Sequence, residues 1–164
     1  MKTTIVIYGS STGTCEAIAE KIASKLGCEA VNVQDLTADI VDANQNLILG
    51  TSTWGAGELQ DDWYDGLKTL QSADLSGKTI ALFGCGDCST YSDTFVGGMG
   101  ELYNGIKSSG ANFIGQVDTD GYTFDDSEAV IDGKFIGLPL DDINEDDKTD
   151  ARIENWIAQI SPEL

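Results

Sequence analysis

The stretch from Gly9 to Cys15, GSSTGTC, consists of glycine, serine, threonine and one cysteine, and it contains no basic residue. It follows an apolar run and precedes an amphipathic segment, which is typical of a strand-to-helix junction. A hydroxyl-rich loop that opens a helix offers an anion both unsatisfied backbone N–H groups and a favourable dipole. We therefore predict a site for a terminal phosphomonoester here, with an ordinary Ser/Thr-capped turn as the alternative.

Two enzymatic interpretations of this loop fail on residue type. The segment GSSTG matches the G-x-S-x-G nucleophile elbow, with Ser11 in the nucleophile's position. That mechanism needs a base to accept the serine proton, normally a histidine, and the chain contains no histidine. A Walker phosphate loop needs a lysine directly after Gly13, where this chain has Thr14.

Aromatic residues stand in two further loops that follow predicted strands. Trp54 lies among small residues in TSTWGAGELQ, and Tyr91 lies in GCGDCSTYSDTF. Ligands of open α/β sheets bind at the carboxyl ends of the strands. Two aromatics there, beside a phosphate loop, predict a planar ring held between them; the alternative for Trp54 is a rim residue that packs on its own loop.

The third loop also contains a C-x-x-C pair, Cys85 and Cys88. Dithiol exchange is disfavoured, because thioredoxin-like proteins carry this motif at a helix start after the first strand of their domain. A zinc site would need a second pair of ligands, and the sequence supplies none at a suitable spacing. Whether these two cysteines form a disulfide stays open.

The charge balance limits the possible partners. The chain has 28 acidic residues against 9 basic ones, a formal net charge of -19. Such a surface repels nucleic acid and anionic lipid and steers basic proteins towards itself, although acidity can also serve solubility alone. The N-terminus does not resemble an export signal, and no apolar run approaches the roughly 20 residues of a membrane span. We expect a soluble, cytoplasmic monomer.

Strand and helix patterns alternate along the chain. The predicted strands are Ile5–Tyr8, Ala30–Val33, Leu47–Leu49, Thr79–Phe83 and Phe113–Val117. Helical spacing of apolar residues predicts helices ending near Gly27, around Trp63 to Leu70, from Phe95 to Ile106, and from a cap at Thr149 or Asp150 onwards. This order predicts one α/β domain over residues 1–164, a doubly wound parallel sheet with helices on both faces. The acidic stretch of residues 118–134 is predicted to be an insertion that interrupts the last strand and packs outside the sheet.

These motifs together resemble the flavodoxins. The match runs through SSTGT, TWGAGELQ, LFGCGD with the following Tyr91, and DGKFIGL, in the family's order and over essentially the whole chain. The interrupted last strand resembles the long-chain subgroup. The resemblance implies a five-stranded sheet of order 2-1-3-4-5 with FMN at the point where strand order reverses, for which flavodoxin is itself a standard example.

The resemblance also implies the residues that contact FMN. They are Ser10, Ser11, Thr12, Gly13, Thr14 and Cys15 at the phosphate; Trp54 and Tyr91 beside the ring; Ser52, Thr53, Gly55, Ala56 and Gly57 in the second loop; and Cys85, Gly86, Asp87 and Thr94 in the third. Family members often carry threonine where this chain has Cys15, which exchanges a hydroxyl for a weaker thiol donor. Neither a catalytic residue nor a metal ligand is implied.

By the same resemblance the protein is an electron carrier and not an enzyme. It would carry one electron at a time, at low potential, on non-covalently bound FMN between redox proteins. Its partners would have basic surfaces, such as a ferredoxin/flavodoxin-NADP reductase. The alternatives are a flavin-dependent quinone or NADPH reductase on the same fold and a phospho-acceptor receiver domain. The receiver is disfavoured because Gly-Ser-Ser and Thr-Ser-Thr stand where it needs acidic residues.

Overall fold

The computed structural model describes residues 3–9, 13–54, 58–86 and 93–164, except for the side chains of Trp54 and Glu58. Its β-strands are β1 Thr4–Gly9, β2 Glu29–Asn32, β3 Asn46–Trp54, β4 Glu58–Leu59, β5 Thr79–Cys85, β6 Asn112–Ile114, β7 Val117–Asp118, β8 Val130–Ile131, β9 Lys134–Phe135 and β10 Leu138–Leu140. Its α-helices are α1 Thr14–Leu26, α2 Ala38–Ala43, α3 Trp63–Ser72, α4 Gly97–Ile106 and α5 Asp146–Ile160.

The main sheet is parallel and confirms the predicted order. Strand β1 pairs with β2 on one side and with β3 on the other, and β3 pairs with β5. The fifth position is shared by two pieces of chain: β6 pairs with the first half of β5, and β10 pairs with its second half. The last strand is therefore interrupted, as the sequence predicted.

Alternation of side chains along the strands gives the sheet two buried faces. Ile5 and Ile7 belong to the cluster that α3 and α4 cover, whereas Val6 and Tyr8 belong to the cluster that α1 and α5 cover. Because successive strand residues point to opposite faces, a continuous apolar run is the pattern of a strand that is buried on both sides.

The interrupting segment forms a small antiparallel sheet of its own, with β9 between β7 and β8. It is also tied to α5 through Arg152. The Arg152 guanidinium donates to the carbonyl of Gly121 at 3.0 Å and to Glu145 at 3.1 Å, and it lies 4.0 Å from the centre of the Tyr122 ring. The insertion is thus anchored, and it carries a core residue as well as acidic ones: Ala129 is fully buried, as is Phe135 directly after the insertion.

Several predicted boundaries were wrong. Helix α5 begins at Asp146, a turn before the predicted cap at Thr149 or Asp150, because the Asp141 carboxylate accepts the N–H groups of Ile143 and Asn144 and turns the chain early. The fifth strand stops at Ile114, before Gly115 with its φ of +85°.

Two helices also differ from the prediction. Helix α4 begins at Gly97 and leaves Phe95 outside it. The short helix α2 was not predicted; the Thr37 hydroxyl caps it by accepting the N–H of Ile40 at 3.3 Å. Across the four described ranges, no helix is both long and apolar enough to cross a membrane.

Candidate functional site

The three loops singled out in the sequence leave the sheet along one edge. Gly9 at the end of β1 pairs with Thr51 of β3, and Ser52 of β3 pairs with Cys85 at the end of β5. Strand order reverses here, since β2 lies on one side of β1 and β3 and β5 lie on the other. A crevice at the carboxyl ends of the strands is where open α/β sheets bind ligands.

The first loop ends at the start of α1. Gly13 precedes this helix in the left-handed region, with φ 89° and ψ −10°, and its carbonyl accepts the N–H of Ala17 at 3.0 Å. Gly13 has no side chain with which to cap α1, and the first N–H groups of a helix have no acceptor within the helix. An ideal Cβ on Gly13 would have no atom within 4 Å, which indicates open space at this helix terminus.

A hydrogen bond ties the two sides of the first loop together. The Tyr8 hydroxyl, at the end of β1, donates to Glu16 Oε1 in the first turn of α1 at 2.9 Å. Burial, together with this bond to Glu16, raises the pKa of Tyr8 to about 12. Tyr8 therefore stays protonated and donating at any physiological pH, which holds the strand end against the helix start.

Cys15 faces the core and not the open edge. Its side chain is fully buried and hydrogen-bonded to the thiol of Cys85 on β5, and this bond, with burial, raises the pKa of Cys15 well above its usual range. Both cysteines are free thiols, as is Cys28. An anion at this turn would therefore meet the backbone N–H of Cys15, because the thiol already has a partner.

The described thiols differ in access, and we expect Cys28 to alkylate first. Cys28 is half-buried, while Cys15 is fully buried. Burial, with a smaller effect of Glu29, also raises the pKa of Cys28, so its reaction should be slower than that of a free cysteine. Iodoacetamide labelling followed by peptide mass spectrometry should give a Cys28 rate at least about tenfold above that of Cys15. Equal rates in the native protein would contradict this; equal rates in urea are the control.

Hydrogen bonds from neighbouring helices hold the chain on both sides of the second loop. The Trp63 indole N–H donates to the carbonyl of Gly50 at 2.8 Å, and a Cβ on Gly9 would lie 2.6 Å from the Trp63 ring. Glycine at position 9 therefore lets the start of α3 pack beneath the end of β1. Beyond it, β4 pairs antiparallel with the end of β3, and Glu101 of α4 accepts the N–H of Leu59 at 2.9 Å.

Two buried hydroxyl groups at this edge have no hydrogen-bond partner in the described chain, Ser52 Oγ and Thr94 Oγ1. Ser52 lies near the end of β3, and Thr94 lies shortly before α4, at the end of the third loop. A buried hydroxyl without a partner costs free energy, so such groups indicate a missing partner such as a ligand. A third buried polar atom without a partner in the described chain, the amide oxygen of Asn46, lies at the opposite end of β3.

Other predicted site residues have neighbours of their own. The Thr53 hydroxyl accepts the N–H of Gly98 at 3.1 Å and so joins β3 to α4. The N–H of Gly86 donates to the carbonyl of Leu140 at 2.9 Å, so this N–H already has an acceptor. The remaining predicted residues lie outside the described ranges: Ser10, Ser11, Thr12, Gly55, Ala56, Gly57, Asp87 and Tyr91, together with the side chain of Trp54.

The sequence pattern over residues 6–156 matches the family model described as Flavodoxin. The chain belongs to the flavodoxin family. Members of this family are electron carriers and not enzymes, so membership supports the carrier prediction over the reductase. Among the described residues, no group of histidine, cysteine or carboxylate side chains is arranged to hold a metal ion.

Individual flavodoxins resemble the chain over nearly its whole length. It is 48% identical to Flavodoxin 1 of Azotobacter vinelandii, covering 97% of this chain and 95% of that protein. It is 42% identical to a flavodoxin of Nostoc sp., again over 97% of this chain and 95% of the relative. A crystal structure of the Fusobacterium nucleatum flavodoxin bound to flavin mononucleotide aligns with a TM-score of 0.93 at 34% identity, covering 100% of this chain and 99% of that one.

Sequence reasoning overlooked residues that support the site from a distance. Trp63 was seen only as a helix residue and Glu101 not at all, because a side chain's long-range hydrogen bond leaves no local pattern. Gln60 is almost fully buried, and its amide oxygen accepts the N–H of Asp62 at 2.9 Å. The sequence shows only a glutamine directly before an acidic pair, and that pattern does not indicate that the glutamine is buried.

Proposed function

We propose that this protein carries electrons, one at a time, on non-covalently bound FMN between redox partner proteins. The observation that carries the proposal is the pair of buried, unpartnered hydroxyls, Ser52 and Thr94, at the edge where the strand order reverses. It is supported by the FMN-bound flavodoxin of Fusobacterium nucleatum, whose fold this chain shares. The described residues fit FMN, because they offer an open helix terminus and two buried hydroxyls without a hydrogen-bond partner.

The start of α1 would hold the phosphate. The first backbone N–H groups of the helix have no intrahelical acceptor, and the helix dipole favours negative charge there. Thr14, which is half-buried, and the predicted Ser10, Ser11 and Thr12 would add neutral donors. With no basic residue in the loop, the phosphate would be held by neutral dipoles alone.

The second and third loops would hold the ring. Trp54 and Tyr91 are the proposed aromatic walls, and Gly55, Ala56 and Gly57 would lie along one edge of the ring. At the other edge, the proposed contacts come from the backbone of Cys85, Gly86 and Asp87; for Gly86 the contact would come from its carbonyl, because its N–H is bonded to Leu140. Thr53 would act by holding β3 against α4.

FMN supplies reversible one-electron chemistry when it is bound. The protein would tune it through its charge of -19, since added electrons meet a negative field. One carboxylate about 10 Å away, at an effective dielectric of about 40, opposes an added negative charge by roughly 0.8 kcal/mol. That is roughly 35 mV for one electron. Several such carboxylates would make the reduced protein a strong reductant.

The same charge indicates which partners would bind. Redox proteins with basic docking faces, such as a ferredoxin/flavodoxin-NADP reductase, would be attracted at a rate that falls with ionic strength. Nucleic acid and anionic membranes would be repelled. A cytoplasmic monomer, a single domain over residues 1–164 and membership of the long-chain subgroup remain our predictions.

Reconstitution with FMN tests the proposal. Apoprotein titrated with FMN should quench the flavin fluorescence at one FMN per chain. Potentiometry should then show the two electrons entering in separate steps, with the second well below the potential of free FMN. The purified holoprotein given NADPH alone should show no steady NADPH oxidation. Failure to bind FMN would refute the carrier, and steady oxidation would favour the reductase.

A further inference from the structure

The insertion holds the chain directly after the third loop. The N–H of Phe95 donates to the carbonyl of Asp126 at 3.3 Å, and the Ser127 hydroxyl donates to the carbonyl of Phe95. Both backbone groups of Phe95 are therefore bonded to adjacent residues of the insertion. Phe95 is the second residue before α4 and the first after Thr94, whose buried hydroxyl has no partner.

Ser127 is held in one orientation. It is only 6% exposed, its hydroxyl oxygen accepts the N–H of Ala129 at 3.1 Å, and its own N–H donates to Asp126 Oδ1 at 2.8 Å. The hydroxyl thus has a donor and an acceptor, and its proton points at Phe95. A buried hydroxyl used in this way positions its acceptor as well as satisfying itself.

The peptide that Ser127 holds leads into a strained residue. Val96 has φ 46° and ψ 32°, a left-handed conformation that β-branched residues rarely adopt, and its side chain is fully buried. This conformation costs about 1–2 kcal/mol and persists only where neighbouring contacts enforce it. Ser127 binds the carbonyl of the Phe95–Val96 peptide and so supplies one of those contacts.

The insertion also packs closely against α4 and against the Phe95 ring. A Cβ on Gly100 of α4 would lie 2.7 Å from the backbone carbon of Glu128, so only glycine allows this approach. The Phe95 ring lies 5.9 Å from the ring of Phe124 and 6.0 Å from that of Phe135, between centroids. Backbone and side chain of Phe95 are therefore both held by the insertion.

The Phe95–Val96 peptide also meets the other end of the third loop. An ideal Cβ on Gly86 would lie 3.0 Å from the N of Val96 and 3.1 Å from the Phe95 ring. The two ends of the loop that contains Asp87 and Tyr91 therefore close against each other at this peptide. A shift of the peptide would move both ends, and with them the proposed ring edge of the site.

We propose that Ser127 is a positioning residue for the cofactor site, acting by holding the Phe95–Val96 peptide in the left-handed turn that sets the third loop. The inference rests on the proposed function, because the readout is FMN affinity. The insertion would thereby help to shape the ring site through the Phe95–Val96 peptide. Ser127 itself does not touch the cofactor.

Ser127→Ala tests the role against a matched control. We expect the dissociation constant for FMN to rise about tenfold, which corresponds to the loss of one buried hydrogen bond. Hydrogen exchange at the amides of Phe95 and Gly97 should also accelerate. Thr149→Val removes another buried hydroxyl, which lies on α5 and donates to the Asp142 carboxylate before that helix. This variant should leave FMN affinity within about twofold of wild type at a similar loss of stability.

A double-mutant cycle with Val96→Gly separates positioning from general support. Glycine adopts the left-handed turn without strain, so in the Val96→Gly background the effect of Ser127→Ala on the dissociation constant should shrink to about threefold or less. Additive effects would overturn the proposal, as would wild-type affinity in Ser127→Ala.

If that variant does not fold, Ser127→Cys keeps the shape with a weaker donor and should lose affinity in the same direction; an unchanged affinity there overturns the proposal too. Wild-type protein that fails to bind FMN refutes the proposed function instead.

Discussion

Replacing Gly137 with alanine is expected to lower the free energy of unfolding by about 3 kcal/mol or more. Gly137 lies between β9 and β10, where the chain returns from the insertion to complete the last strand. An ideal Cβ there would lie 2.1 Å from the carbonyl oxygen of Leu82 and 2.6 Å from its carbonyl carbon. These are backbone atoms in the middle of β5, and they cannot move without breaking the pairing of β5 with its neighbours.

Gly121→Ala is the matched comparison for this effect. Gly121 lies in the insertion, and its Cβ would have no atom within 4 Å, but its φ of +84° makes an added side chain unfavourable. Backbone strain alone costs about 1 kcal/mol. Urea unfolding of the two apoprotein variants, followed by far-UV circular dichroism, should show the larger loss at Gly137. A loss at Gly137 no greater than that at Gly121 would mean that β10 does not pack against β5 in solution as described.

The order of elements was predictable from the sequence because a strand that is buried on both faces has apolar residues at successive positions. Runs such as Ile5–Tyr8 and Ile80–Phe83 are apolar throughout, which is typical of strands in a parallel sheet that is covered on both faces. The order of the strands came from the resemblance, since composition does not tell which strands pair. Boundaries failed where one residue decides them: Gly115 ends the fifth strand, and the side chain of Asp141 starts α5 early.

The site was predictable only as three loops. Their small and aromatic residues form contiguous motifs, which are recognisable in the sequence alone. The contacts between the loops are not local: the Cys15 thiol is hydrogen-bonded to that of Cys85, and the Ser127 hydroxyl donates to the carbonyl of Phe95 across 32 residues of chain. The left-handed turn at Val96 carries no signal at all, because valine is among the residues least expected there. Such contacts depend on the packing of distant elements.

Gly13→Asp is expected to weaken FMN binding about 100-fold. A carboxylate about 6 Å from a phosphate dianion, at an effective dielectric of about 40, raises the free energy of the complex by about 3 kcal/mol. Gly13 stands at the open start of α1, with φ 89° and free space where its Cβ would be. Aspartate tolerates the left-handed region better than most residues and is favoured at a helix start, so the apoprotein should fold.

Two controls isolate the charge as the cause. Gly13→Asn has nearly the same shape and the same tolerance of the left-handed region, but it is neutral, so it should weaken FMN binding far less. Riboflavin lacks the phosphate, so its affinity should differ by no more than about twofold between the Asp and Asn variants. Fluorescence titrations of both ligands at low salt measure all four constants, and added salt should narrow the FMN gap. Equal affinities of the Asp and Asn variants for FMN would mean that the phosphate does not sit at the start of α1, and that the neutral loop from Gly9 to Cys15 serves only to turn the chain.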